Sequence, residues 1–125
     1  MSPDHRRADR VAEAIRIDVA TFLQSGAKDP RLQAIVTVTA VDVDRDLGNA
    51  KIFVSMMGTD AERASTLEAL ASMKGHLRSR LAKSLGLRVV PDLSFKVDES
   101  VARAARIESL LAQVRDPKAG DEGKP

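Results

Sequence analysis

Residues 35–57 read IVTVTAVDVDRDLGNAKIFVSMM, and this stretch decides the fold class. Residues 35–43 are rich in Val, Ile and Thr, whose branched side chains favour a pleated strand, here expected to be buried partly on both faces. Residues 44–49 form a turn by composition, and 50–57 resume as a second strand. The pair is therefore expected to close as an antiparallel hairpin.

Helices flank this hairpin. On the N-terminal side, Val11, Ile15, Val19, Phe22 and Leu23 recur at three- and four-residue steps, which predicts an amphipathic helix over 6–24. Ser25-Gly26 stops it, and Pro30 biases Asp29 toward extended backbone. On the C-terminal side, Thr59 and Glu62 form a candidate capping box opening a helix over 60–73, with Leu67, Leu70 and Met73 on its core face. Gly75 is expected to kink or break this element, because glycine costs about 1 kcal/mol relative to alanine inside a helix. A second piece over 76–85 puts Leu77, Leu81 and Leu85 on one stripe, closed by Gly86. Leu93, Phe95 and Val97 alternate with polar neighbours in a last strand over 92–98. A terminal helix over 100–115 is expected to turn Ile107, Leu110, Leu111 and Val114 inward. The expected organisation is an extension over 1–5, one α+β domain over 6–115 and a disordered tail over 116–125.

Composition excludes several functions. The 125 residues hold no Cys, Trp or Tyr, three Phe and two His. Without Cys there is no disulfide framework, thiolate zinc site or cysteine nucleophile. Phe22, Phe53 and Phe95 are too few for both a core and an aromatic base-stacking platform. His5 and His76 stand in no metal-ligand spacing. Serine-nucleophile signatures and phosphate-cradling glycine loops are missing. Gly120-Asp-Glu-Gly123 spells GxxG, but in an acidic tail that would repel phosphate. Asp42, Asp44 and Asp46 could hold a divalent cation, yet Arg45 sits among them and turn solvation is the ordinary reading. No secretory signal or bilayer-spanning segment is visible, so the cytoplasm is the default location. The chain is read as a non-enzyme with no metal, cofactor, membrane or small-molecule substrate.

What composition favours is a polyanionic partner. Net charge is only +2, from 20 Lys+Arg against 18 Asp+Glu, but it is unevenly placed. Residues 69–91 hold no carboxylate while carrying Lys74, His76, Arg78, Arg80, Lys83 and Arg88. At 100° per residue, His76, Arg80 and Lys83 fall within an arc of about 60° away from the leucine stripe. Lys74 stands at the helix entry and Arg88 just beyond its end. Arg6, Arg7 and Arg10 add charge at the N-terminus. Such cations suit phosphate oxygens, with counterion release supplying the entropy. Arg78 projects toward the leucine stripe and is expected to be structural, with a buried stem and Asp98 as its carboxylate. The rival readings are a module whose basic ridge meets an acidic protein, and a metal-dependent nuclease built on the aspartates.

Short motifs in fixed order add a resemblance. They are Arg10-Val11-Ala12-Glu13-Ala14-Ile15, Lys28-Asp29-Pro30-Arg31-Leu32, Val41-Asp42-Val43-Asp44-Arg45-Asp46-Leu47 and Ala50-Lys51-Ile52-Phe53-Val54. Further along stand Leu77-Arg78-Ser79, Leu87-Arg88-Val89-Val90-Pro91-Asp92-Leu93-Ser94-Phe95 and Asp98-Glu99-Ser100. Together, over about 6–111, they resemble the bacterial ribosome-binding factor A family. The resemblance implies a type II KH-like fold in the order α-β-β-α-α-β, with an Ala-x-Gly break between the central helices in place of a GxxG loop. Here the matching triplet is Met73-Lys74-Gly75, which keeps the Gly and replaces Ala by Met, so the kink is expected to survive with different packing. It also implies an assembly factor that binds the precursor of the small ribosomal subunit and its ribosomal RNA, late in maturation and in connection with growth in the cold; the chain is expected to be a monomer.

Overall fold

A computed structural model describes residues 3–25 and 27–115, apart from the side chains of 3–5 and 101. The elements are α1 (Pro3–Ser25), β1 (Ile35–Val43), β2 (Asn49–Met57), α2 (Asp60–Ser72), α3 (Lys74–Leu85), β3 (Asp92–Val97) and α4 (Ser100–Arg115). The helix α1 begins three residues before the expected start and takes in part of the supposed extension. Proline is well tolerated there, because the first turn of a helix uses neither its missing N–H nor a different φ. Gly26 and the tail with its GxxG lie outside the described residues.

The three strands form one sheet in the order β1-β2-β3. β1 and β2 pair antiparallel, while β2 and β3 run parallel. A parallel neighbour needs a long crossover, and α2 with α3 supplies it. On the inner face of central β2, Ala50, Ile52 and Val54 are fully buried. Across from them lie Val41 and Val43 of β1, and Leu93, Phe95 and Val97 of β3.

β1 does not alternate cleanly, and a bulge explains why. Val38 pairs with Val54 but Ala40 pairs with Phe53, leaving Thr39 as the extra residue. The extra residue restores Val36 and Val38 to the face already holding Val41 and Val43. The expectation that both faces of β1 are partly buried is thus corrected to one apolar face with a step in it. The Thr39 hydroxyl donates to Asp98 Oδ2 at 2.6 Å.

Against this face pack Val11, Ile15 and Val19 of α1, Leu70 of α2, and Leu77 and Leu81 of α3, all in one core cluster. The turn adds Leu47, which is buried although its φ is +60°. Left-handed backbone costs a non-glycine residue about 1–2 kcal/mol, and burying a leucine is worth about 1.5–3 kcal/mol, so burial holds the turn. Asp44 and Asp46 complete it. The Asn49 side-chain amide donates to Asp44 Oδ2 at 3.0 Å, and Gly48 N–H donates to Asp46 Oδ1 at 2.9 Å.

The Asp29-Pro30-Arg31 segment ties the loop before β1 to α2. Asp29 accepts from the Arg31 backbone and guanidinium, which holds its carboxyl below the usual range. Arg31 also donates to Ser72 Oγ at 2.6 Å, and its carbonyl accepts from the Ser65 hydroxyl at 2.9 Å. The Thr59/Glu62 capping box is present as read.

Two expectations are corrected at the helices. The break between α2 and α3 falls at Met73, the cap of both helices with φ −93° and ψ 4°. Gly75 lies within the first turn of α3 and needs no glycine-only conformation; a Cβ there would meet nothing within 4 Å. Gly86 does close α3, at φ 62°. As for α4, every described side chain in it is exposed. Ile107, Leu110, Leu111 and Val114 are 50%, 55%, 44% and 75% exposed, so the expected inward face takes no part in the core.

Thr66 is the one buried polar side chain in the described core. It accepts from Ala34 N–H at 2.9 Å and donates to the Glu62 carbonyl at 2.7 Å. Thr66→Val keeps the shape but strands a buried N–H, so it should lower stability by about 1–3 kcal/mol, measured as a lower urea midpoint with unchanged slope.

Candidate nucleic-acid interface

α3 lies antiparallel beside α1. His76 and Arg80, near its start, meet Phe22 and Asp18 in the second half of α1. Leu85 and Leu87, near its end, meet Arg7, Arg10, Val11 and Ala14 in the first half. The basic window and the N-terminal arginines, separated by some seventy positions in the chain, therefore belong to one helical pair.

Within that pair the expected residues divide. Arg80 is half-buried and already engaged. Its Nε donates to Asp18 Oδ2 at 3.1 Å, and its guanidinium carbon sits 5.2 Å from the Phe22 ring centroid. A guanidinium held between a carboxylate and an aromatic face serves the joint between helices, so Arg80 stands on the ridge already paired. His76 is exposed and touches the same ring, with centroids 5.3 Å apart. Lys83 follows on the same ridge and is exposed. Lys74 is half-buried, and by the helical step it stands about 160° around α3 from His76. That places it on the flank of Leu77 and Leu81, off the ridge. Arg88, Arg6, Arg7 and Arg10 are exposed. Along with Lys74 and Lys83, they form no ion pair among the described residues.

Arg78 has a carboxylate partner, though a different one from that expected. Its guanidinium lies 3.5 Å from Asp92 Oδ1 and donates to the Val90 carbonyl at 3.2 Å, with the side chain 46% exposed. Asp98 is occupied elsewhere. The Thr39 hydroxyl, then the Ser100 hydroxyl and backbone N–H, hold its carboxyl down at about 2.

Two features escaped the sequence reading. Arg63, Arg103 and Arg106 border a cleft between the end of β2 and α4, but Asp98 and Glu99 line it too and offset their charge. The other is the notch at the α1–α3 end, whose spacing in α1 (Arg7, Arg10, Val11, Ala14) is that of one helix face. Among the described residues no cluster of three or more His, Asp or Glu could hold a metal. No helix there is long and apolar enough to cross a membrane.

A helical layer on a three-stranded sheet, ordered α-β-β-α-α-β with a break between the central helices, defines a type II KH-like domain. The ribosome-binding factor A model matches residues 7–111, and the chain belongs to that family. It is 62% identical over 117 residues to the ribosome-binding factor A of Gemmatimonas aurantiaca, covering 94% of this chain and 80% of that one. The crystal structure of the Thermus thermophilus ribosome-binding factor A superposes with a TM-score of 0.64 at 24% identity, over 74% of this chain and 97% of that one. A homology model of the Thermus thermophilus factor, fitted into the cryo-EM map of a 30S complex, superposes with a TM-score of 0.59 at 25% identity, over 70% and 91% of the two chains.

Two measurements follow from this geometry. A double-mutant cycle on Asp18→Asn and Arg80→Gln should give a coupling of about 1 kcal/mol, the upper end for pairs that keep some solvent contact. An Asp98→Asn variant tests the carboxyl held at about 2. A lowered folded pKa stabilises above the ordinary aspartate value near 3.9 and loses that effect as pH falls through the folded value. The variant should therefore melt below the parent protein at neutral pH, with the gap closing between about pH 4 and 2.

Proposed function

We propose that this chain binds the precursor of the small ribosomal subunit through its ribosomal RNA and favours one RNA arrangement late in maturation, making and breaking no bond. Family membership supports the reading, and so does the relative fitted into a 30S complex. The observation that carries it is the pairing of α1 with α3, which brings two basic segments distant in the chain onto one helical pair. Arg7 and Arg10 border a notch with Leu85 and Leu87 at the end of α3, and Lys83 and Arg88 stand exposed. Guanidinium and ammonium groups so placed contact the phosphate backbone, and a ligand shifts a conformational equilibrium only through its differential affinity for the two states.

The working cations are Arg6, Arg7, Arg10, Lys83 and Arg88, with His76 beside them and Lys74 on the flank. Arg80 acts through the joint it makes with Asp18 and Phe22. The protein acts as a cytoplasmic monomer without a cofactor, and residues 6–115 form the RNA-binding domain. Its action is linked to assembly in the cold, as the family resemblance implies.

With four to six phosphate contacts, the logarithm of affinity for small-subunit ribosomal RNA should fall with the logarithm of salt at a slope of about −3 to −5. The protein should sediment with the small-subunit fraction of a lysate. Lys83→Glu combined with Arg88→Glu should move it to the top of the gradient while leaving its melting temperature unchanged. A flat salt response, or full particle binding by the double variant, overturns the reading.

A further inference from the structure

The α1–α3 notch differs in chemistry from the rest of the basic surface. Its volume is about 220 Å³, below the roughly 300–1,000 Å³ of sites for drug-sized ligands. Val11, Ala14, Leu85 and Leu87 give it an apolar floor, and Arg7 and Arg10 border it. No carboxylate among the described residues lines it. A simple phosphate contact needs charge alone and gains nothing from four apolar side chains. A flat apolar face with polar edges, attached to an anion, would use all of them.

The geometry points to this notch as the seat of one unpaired nucleobase of the bound RNA, an inference that rests on the RNA-binding reading above. The base lays a face on Val11, Ala14, Leu85 and Leu87, where its removal from water is favourable. The guanidiniums of Arg7 and Arg10 stack against it or donate to its edge, as arginine planes do with splayed-out bases. Arg88, next to Leu87 in the chain, supplies charge for the adjoining phosphate. The protein thereby distinguishes an unstacked nucleotide from a continuous helix, a discrimination that phosphate contacts cannot make. An arginine-and-leucine seat also answers the shortage of aromatic residues: Phe22 is committed to His76 and Arg80, and single-strand readers usually stack bases on such rings.

The test compares three RNA hairpins of identical stem: fully paired, with one bulged adenosine, and with an abasic site at the bulge. Binding is read by fluorescence anisotropy at fixed salt. The protein should prefer the bulged adenosine over both others by roughly tenfold, within the range measured for stacking one base. Ala14→Leu fills the floor and should abolish that preference while leaving affinity for the paired hairpin unchanged, with thermal unfolding confirming that the variant folds. Equal affinity for the three hairpins overturns the inference and leaves RNA binding standing; the abasic comparison gives that answer on the unaltered protein. Retention of the preference by folded Ala14→Leu also overturns it, placing the base elsewhere. If no hairpin binds in a salt-dependent way and no small-subunit RNA does either, the RNA-binding reading itself fails.

Discussion

The helical layer rests on one continuous apolar face, and the bulge at Thr39 makes that face continuous. Strict alternation through nine residues would put Val36 and Val38 on the opposite side from Val41 and Val43. The single extra residue brings all four valines under α1. Leu47, in left-handed backbone at the hairpin tip, fills one end of the same layer. The strain at Leu47 and the irregularity at Thr39 are therefore both tied to one requirement, an unbroken inner surface on a short sheet.

Element order was legible because each element carries its own local signal. The apolar spacing of Val11, Ile15 and Val19, the Thr59/Glu62 cap and the Gly86 stop all act within one or two turns of chain. The bulge was not legible, since it depends on which residues of β2 face β1. A stretch of valine and threonine that steps across a bulge looks, in sequence, like a strand buried on both sides. The break between the central helices was placed two residues late for a similar reason: glycine weakens a helix anywhere, but the chain turns at Met73, which packs partly against the core.

The candidate interface shows the same limit more sharply. Periodicity put His76, Arg80 and Lys83 on one ridge, yet it could not reveal that α1 lies alongside or that Asp18 waits there for Arg80. Charge counting within a window is blind to a carboxylate 62 positions away. What the window did convey was the surplus: Lys83 and Arg88 find no such partner among the described residues, and Arg7 and Arg10 lie on the helix paired with α3. The carboxylate expected for Arg78 was the right kind of group at the wrong residue, because the chain entering β3 brings Val90 and Asp92 past the helix.

The terminal helix has a consequence of its own. Its sixteen residues expose every described side chain, so little tertiary burial offsets the entropy of ordering them. A helix of that length on its own is marginal in water, and its helical content depends on temperature. With so little burial, the order of this helix follows temperature and its own sequence more closely than the packed core does.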